Sequence, residues 1–280
     1  MKKSYLVSVN IPTYNSERTI RQTLESLKKQ TYKNFEIIII DSYSTDKTID
    51  ICKEFKCKIV SYEGTLLGAR GKGVENSKGD FILLLDSDQV LEKTAIERAV
   101  KLMENYDMLW LYERSYNPKT TLEKLYDADR ELTQKYWKDF INPVGGVILP
   151  RFYKIHLLKE AFKKIPIKIL PLCVAHDHAI IYYEVFQMSK KVGKLDNAVF
   201  HNEPKSWGDL FKKTYRYGIT TRKLVNNKVY PELLKSKNKG RKIKLADLGL
   251  SIRSNLLRAF RAIAYLSGYF AGKNKKIPGL

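Results

Sequence analysis

No stretch of this 280-residue chain approaches the roughly 18 uninterrupted apolar residues of a membrane-spanning helix. Cysteine is scarce. Cys52, Cys57 and Cys173 make an odd count without metal-ligand spacing, which argues against a disulfide framework and for reduced thiols. Lys2 and Lys3 precede only a brief apolar patch before Asn10 and Pro12, too short for a signal-peptide core. A cytoplasmic protein is expected, soluble or peripheral on the inner face of the cell membrane. Glycine-rich phosphate loops are missing too. No GxGxxG or Walker sequence follows the first strand run, so dehydrogenase and ATPase readings weaken, and phosphate charge would have to be met by a cation rather than a backbone cradle. Acidic residues are outnumbered: 51 Lys and Arg face 30 Asp and Glu, a net charge of +21. A polyanionic partner is expected, whether nucleic acid, anionic membrane or phosphorylated substrate. Helix-turn-helix, zinc-finger and RNP signatures are absent, so no nucleic acid is expected, and a basic nucleic-acid-binding protein stands as the alternative from a different class. Most of the charge is C-terminal, because residues 201–280 hold 19 Lys and Arg against 4 Asp and Glu.

With 44% hydrophobic residues, the chain can bury a substantial core as one large domain or one domain plus an appendage. Its apolar runs alternate with helical spacing. Tyr5–Ile11 reads as a strand closed by Pro12-Thr13-Tyr14-Asn15, and Ser16–Gln30 as a helix with Ile20, Leu24 and Leu27 on one face. Phe35–Ile40 is a second strand ending in Asp41-Ser42-Tyr43-Ser44-Thr45-Asp46. A helix over Lys47–Phe55 and a strand over Lys58–Ser61 follow. Strand-helix alternation predicts a parallel sheet with right-handed crossovers. A polar cluster closes each main strand, and this places the clusters along the carboxyl edge, where ligands bind in open α/β sheets.

The third cluster organises the others. Gly79-Asp80 leads into the apolar run Phe81–Leu85, which ends in Asp86-Ser87-Asp88. Carboxylates at i and i+2 can share one hard cation and so bridge the phosphates of a nucleotide. An acidic turn closing a strand would look the same. Asp41, at the end of the second strand, can accept hydrogen bonds from a base or ribose.

Pro12-Thr13-Tyr14-Asn15, the helix ending Ser26-Leu27-Lys28-Lys29-Gln30-Thr31, the stretch from Glu36 through Asp41 to Thr48, and Lys78-Gly79-Asp80-Phe81 leading to Leu85-Asp86-Ser87-Asp88 keep order and spacing from about Val7 to Val90. Together they resemble a family-2 glycosyltransferase of the GT-A fold. The resemblance implies an α/β architecture with a Rossmann-like, mostly parallel sheet flanked by helices. It also implies inverting transfer of a sugar from a nucleotide-diphosphate donor, with Mg or Mn. Carried over by position, Pro12, Tyr14 and Glu17 lie by the nucleotide and Asp41 binds the base. Arg70, in Leu67-Gly68-Ala69-Arg70-Gly71-Lys72-Gly73, sits near the diphosphate or sugar. Asp86 contacts ribose or sugar and joins Asp88 at the metal. Ser42 and Gly71 stand where the family usually has Asp and Asn.

Further on, Thr120–Asp139 has good helix formers, with Tyr126, Tyr136 and Trp137 as packing residues or a sugar platform. Asn142–Arg151 reads as a turn and short strand before a helix near Ile155–Lys163. Ala175-His176-Asp177-His178-Ala179 offers Asp177 as the base that takes the acceptor proton, or as a helix N-cap. Its place resembles the family's Glu-Asp motif, with His176 where Glu would be. A zinc site at the His pair is disfavoured by spacing. His201, after a short strand, is a candidate third metal ligand.

Trp207–Lys223 mixes basic and aromatic residues that could face diphosphate or acceptor, or form a solvated amphipathic helix. A basic linker follows at Lys235, Lys237, Lys239, Arg241, Lys242 and Lys244. Beyond it, Leu245, Leu248, Ile252, Leu256, Ala259, Ile263, Leu266 and Phe270 form one helical stripe, with Asp247, Ser251, Ser254, Arg258 and Arg261 opposite. The linker, the flanking Lys273, Lys275 and Lys276, and the aromatics Tyr265, Tyr269 and Phe270 favour an anionic membrane surface over core packing. The expected organisation is a catalytic domain over residues 1–204 and a basic, helical, membrane-associating extension over 205–280. The expected acceptor is lipid-linked, on polyprenyl phosphate or another glycolipid, with a soluble glycan or small molecule as the alternative.

Overall fold

The computed structural model describes residues 4–137, 141–144, 149–234 and 244–272. Its elements alternate as the apolar pattern requires: β1 (Val7–Thr13), α1 (Ile20–Lys28), β2 (Phe35–Asp41), α2 (Thr48–Glu54), β3 (Lys58–Ser61), α3 (Leu66–Asn76), β4 (Phe81–Leu84), β5 (Gln89–Leu91) and α4 (Ala95–Leu102). The second half adds β6 (Met108–Ser115), α5 (Thr121–Trp137), β7 (Phe152–Lys154), α6 (Ile155–Lys164), α7 (Asp177–Met188), β8 (Val192–His201), α8 (Trp207–Asn226), α9 (Pro231–Leu234) and α10 (Leu248–Ala271). Strand β1 runs two residues beyond the expected Ile11. Pro12 and Thr13 keep parallel register with Ile40 and Asp41, so the loop starts two residues later, at Tyr14.

The eight strands form one sheet in the order β3-β2-β1-β4-β7-β6-β8-β5. Strand β7 is antiparallel to both β4 and β6, and β5 is antiparallel to β8, while the remaining neighbours are parallel. Two reversals across β7 leave β4 and β6 pointing the same way. The carboxyl ends of β1, β2, β4, β6 and β8 therefore share one edge, the architecture expected of a GT-A fold.

Strand β4 is buried on both faces, which explains its unbroken apolar run. Phe81, Leu83 and Leu85 pack with Ile20, Leu24 and Leu27 of α1. Ile82 and Leu84 pack on the other face with Leu67 of α3, Leu158 of α6 and Ile181 of α7. Strand period two thus feeds two separate cores. Helix α3 also closes on α6 at Gly71, where an added Cβ would lie 2.9 Å from Phe162 Cε1. Close packing accounts for glycine where the resembling family has Asn.

Helix α10 packs with its polar face inward. Ser251, Ser254, Leu257, Ala264 and Gly268 are buried, whereas Leu248, Ile252, Leu256, Ile263, Leu266 and Phe270 are between 48% and 65% exposed. The inward face is anchored by polar pairs to α5: Ser254 Oγ and Arg258 Nε donate to Asp129 at 2.5 and 2.6 Å, and Lys135 Nζ to Asp247 at 2.7 Å. Against α8 the backbones nearly touch, since a Cβ on Gly218 would meet the Tyr265 carbonyl oxygen at 2.1 Å. The apolar stripe is left facing outward. Among the described residues, no helix is long and apolar enough to cross a membrane.

Of the expected linker cations only Lys244 is among the described residues; Lys235, Lys237, Lys239, Arg241, Lys242, Lys273, Lys275 and Lys276 lie outside them, as does the Trp137 side chain. The short strand expected within Asn142–Arg151 falls partly on residues 145–148, which also lie outside the description.

Candidate active site

Two loops at the sheet edge hold the residues expected near a nucleotide. Asp41 ends β2 opposite Thr13. Its carboxylate accepts from Thr13 Oγ1 at 2.8 Å, from the Ser44 backbone N–H at 2.8 Å and from Ser44 Oγ at 2.6 Å. These bonds orient the group, and Oδ2, which among the described residues accepts only from the Ser44 N–H, keeps acceptor capacity for a ligand. Pro12 is buried within β1, while Tyr14 stands 60% exposed beside it. Glu17 is also at the surface, and its Oε2 accepts from the Lys47 N–H at 3.1 Å. That carboxylate ties the first loop to the start of α2. Asn15 and Ser16 complete the lacing through Ser44 and Thr48. The loop after β1 reaches the central motif where the Ser16 and Ser87 hydroxyls meet at 2.9 Å.

The Asp86-Ser87-Asp88 turn links β4 to β5, and β5 pairs with the end of β8. That pairing sets Gln89 opposite His201. It also lets the Asn202 N–H donate to the Asp88 carbonyl at 2.8 Å. Residues more than a hundred positions apart thereby converge: ligand atoms of Asp86, Asp88 and His201 lie within 4.8 Å of one another. His201 Nε2 is 3.4 Å from Asp88 Oδ1. Its Nδ1 faces the Asn202 carbonyl at 3.0 Å, and since a carbonyl only accepts, Nδ1 carries the proton. Nε2 is thereby turned toward the Asp88 carboxylate, and an imidazole nitrogen with two carboxylates is a ligand set that suits Mg or Mn. The residues fit a divalent ion.

Asp86 is held from behind. Arg70, completely buried on α3, donates from Nη2 to Asp86 Oδ1 and from Nε to Asp177 Oδ2, both at 2.5 Å. Arg151 Nη1 lies 3.0 Å from Asp86 Oδ2. Burial works against these charges, but Arg151 and Arg70 draw the Asp86 carboxyl well below its ordinary range. The Arg70 guanidinium is likewise raised, its own burial outweighed by Asp177 and Asp86. Each carboxylate oxygen of Asp86 retains a lone pair for a further ligand.

Asp177 is the first residue of α7. His176 occupies the N-cap position without a side-chain cap bond, so capping does not explain Asp177. Its carboxylate is committed to Arg70 instead. The zinc reading fails on geometry: His176 Nε2 meets Thr221 Oγ1 at 2.9 Å, while His178 Nε2 meets Arg151 Nη1 at 2.8 Å. Burial, then Arg70 and Arg151, depress the His178 pKa and keep that ring neutral.

Four charged residues that sequence reasoning did not assign complete the cluster. Arg151 Nε donates to Glu113 Oε1 at 2.6 Å, Arg130 pairs with the other Glu113 oxygen, and Arg130 Nε reaches Glu203 Oε1 at 2.7 Å. The chain of pairs thus runs from Asp177 to the residue two beyond His201. Despite burial, Arg151 and Arg130 lower Glu113 from 4.5 to about 2. Lys213 of α8, one of the basic residues expected near a diphosphate or acceptor, brings Nζ to 4.0 Å from Asp88 Oδ2. Asp88 opens onto a cavity of about 670 Å³, lined also by Ser16, Tyr116, Lys119, Lys205 and Lys213. Tyr126 packs against Leu122, Leu125, Leu210 and Leu257, and Tyr136 donates to Asp247, so both are packing residues rather than a sugar platform.

Comparison with known proteins agrees with this geometry. The model of the family described as Glycosyl transferase family 2 matches residues 8–169. The chain is 40% identical over 119 residues to UDP-Glc:alpha-D-GlcNAc-diphosphoundecaprenol beta-1,3-glucosyltransferase WfaP of Escherichia coli, a match covering 41% of this chain and 47% of that protein. It spans less than half the length of the first curated relatives it matches. Among solved structures, TarS 1-349 of S. aureus in complex with UDP-GlcNAc superposes with a TM-score of 0.59 at 17% identity, covering 95% of this chain and 90% of that one. The mannosyltransferase PcManGT of Pyrobaculum calidifontis, in complex with GDP-Man and Mn2+, does so at 0.56 and 16%, covering 94% and 76%. At these identities the structures speak for the fold.

The depressed carboxyls make a pH prediction. A group whose folded pKa lies below its unfolded value stabilises the fold above the unfolded pKa and ceases to do so as pH falls through the folded one. For Glu113 that window runs from 4.5 down to about 2. Glu113→Gln is therefore expected to lose about 3 kcal/mol at neutral pH and to show a shallower decline on acidification than wild type, measured by urea unfolding across pH. Parallel declines would contradict the assignment.

Proposed function

The chain belongs to glycosyltransferase family 2, and on that premise we propose that it transfers a sugar, with inversion, from a nucleotide-diphosphate donor to a lipid-linked acceptor at a membrane surface. The observation that carries the reading is the joining of Asp86, Asp88, His201, Arg70 and Asp177 in one cluster at the sheet edge. Tyr14 and Asp41 receive the nucleoside, with Pro12 and Glu17 shaping the loop beneath it. Arg70 and Asp86 face the donor's ribose, sugar or diphosphate. Asp88 and His201, with Asp86, hold a Mg or Mn ion, which when bound neutralises charge on the departing diphosphate. Asp177 takes the proton of the acceptor hydroxyl as its oxygen bonds to the anomeric carbon and the bond from that carbon to the diphosphate breaks. Arg70 Nε fixes the carboxylate for that task.

Two observations support a membrane-bound acceptor. The E. coli relative is named for transfer to a diphosphoundecaprenol-linked sugar. The α10 stripe, apolar and turned outward, continues into exposed Trp207 and Phe211 of α8, whose rings meet Phe260 at 4.7 and 6.4 Å. Exposed apolar surface of this extent, in a strongly basic segment, suits the interface of an anionic bilayer. The proposed location is peripheral, on the inner face of the cell membrane.

The experiment is a screen of nucleotide sugars for thermal stabilisation and turnover, with and without Mn2+. Asp88→Asn is expected to abolish metal-dependent turnover and keep the fold; wild-type rates in that variant, or full activity in chelator, would contradict it. For the acceptor side, vesicles containing anionic lipid should bind the chain less strongly as salt rises. Replacing Ile252, Leu256 and Ile263 by Ser should remove the salt-resistant part of that binding without unfolding. An active wild type indifferent to vesicles would return the acceptor to the soluble class.

A further inference from the structure

The Glu203 carboxylate lies in the core two residues after His201, its side chain only 1% exposed. One oxygen is fully used, because Oε1 accepts from Ser115 Oγ at 2.8 Å and from Arg130 Nε at 2.7 Å. The other is not. Among the described residues Oε2 has no hydrogen-bond partner, although it is buried. It points instead at the imidazole of His201, 3.7 Å from Nδ1. An unpartnered carboxylate oxygen in the interior is costly unless something nearby uses its charge.

Both oxygens next to Nδ1, the Asn202 carbonyl at 3.0 Å and Glu203 Oε2, can only accept. From this we propose that Glu203 is a positioning residue for the metal ligand: its free oxygen favours the Nδ1–H tautomer and thereby presents Nε2 toward Asp88. Carboxylates behind a ligating histidine act in this way, and their loss typically weakens metal affinity roughly 10- to 100-fold. Arg130 holds Glu203 in place from α5, and the adjacent Asp129 is where α10 is anchored. The orientation of a ligand on β8 thus depends on a helix far from it in sequence. The inference rests on the metal-site reading, so its test separates the two.

Imidazole 15N resonances of the metal-free wild type, with His201 assigned by its loss in His201→Asn, should show protonated Nδ1 and bare Nε2. Glu203→Gln should shift His201 toward the opposite tautomer and weaken Mn2+ binding, followed by the electron spin resonance of free Mn2+, by roughly 10-fold or more. Ser115→Ala, which loosens the same carboxylate but keeps its charge, should bind Mn2+ near the wild-type value. An Nε2–H tautomer in wild type, wild-type affinity in Glu203→Gln, or equal weakening in Ser115→Ala would overturn the role of Glu203. Absence of Mn2+ binding by the wild type would overturn the metal site itself.

Discussion

A buried guanidinium needs counter-charges at fixed distances, and Arg70 finds them in Asp86 and Asp177, at 2.5 Å on either side. An isolated charge at complete burial would be strongly destabilising, so the position of α3 against β4 and α7 is constrained by that pairing as much as by apolar packing. The functional consequence is mechanical. The strand-end carboxylate on the donor side and the candidate base on the acceptor side are braced by one planar group, so neither can shift without the other.

The same rule propagates outward. Arg151 shares Asp86 with Arg70 and passes to Glu113; Arg130 shares Glu113 with Arg151 and passes to Glu203 behind His201. Alternating sign along this path leaves each buried charge with a partner and links the candidate metal ligands and the candidate base in one network. Bracing of this kind suits transfer chemistry, in which the hydroxyl, the anomeric carbon and the diphosphate must stay in line.

Much of the site was legible because its residues sit where local patterns end. Asp41, Asp86 and Asp88 each follow an apolar strand, and parallel pairing of β1, β2 and β4 puts such ends on one edge. Asp177 and His201 were marked by the clusters around them. Glu113, Arg130 and Glu203 were not legible, because nothing in a strand or helix pattern says that a charge will face inward, and their partners are 17 to 88 residues away. Reading them required the antiparallel β7 and β5, three-residue strands too short for a periodic signal. Helix α10 was legible in period and in the opposition of its two faces. That its polar face would be the packed one depends on Asp129 and on the glycine contact with α8, neither of which lies in the helix pattern itself.

In the proposed reaction Asp177, braced by Arg70, removes the acceptor proton. Donor affinity, transfer rate and melting temperature of Asp177→Asn, measured on one preparation with the nucleotide sugar that stabilises the wild type, test it directly. Unchanged donor binding and an intact fold are expected, with transfer reduced roughly 10²-fold or more. Near-normal transfer in a protein that merely melts earlier would show instead that Asp177 serves the fold and is not the base.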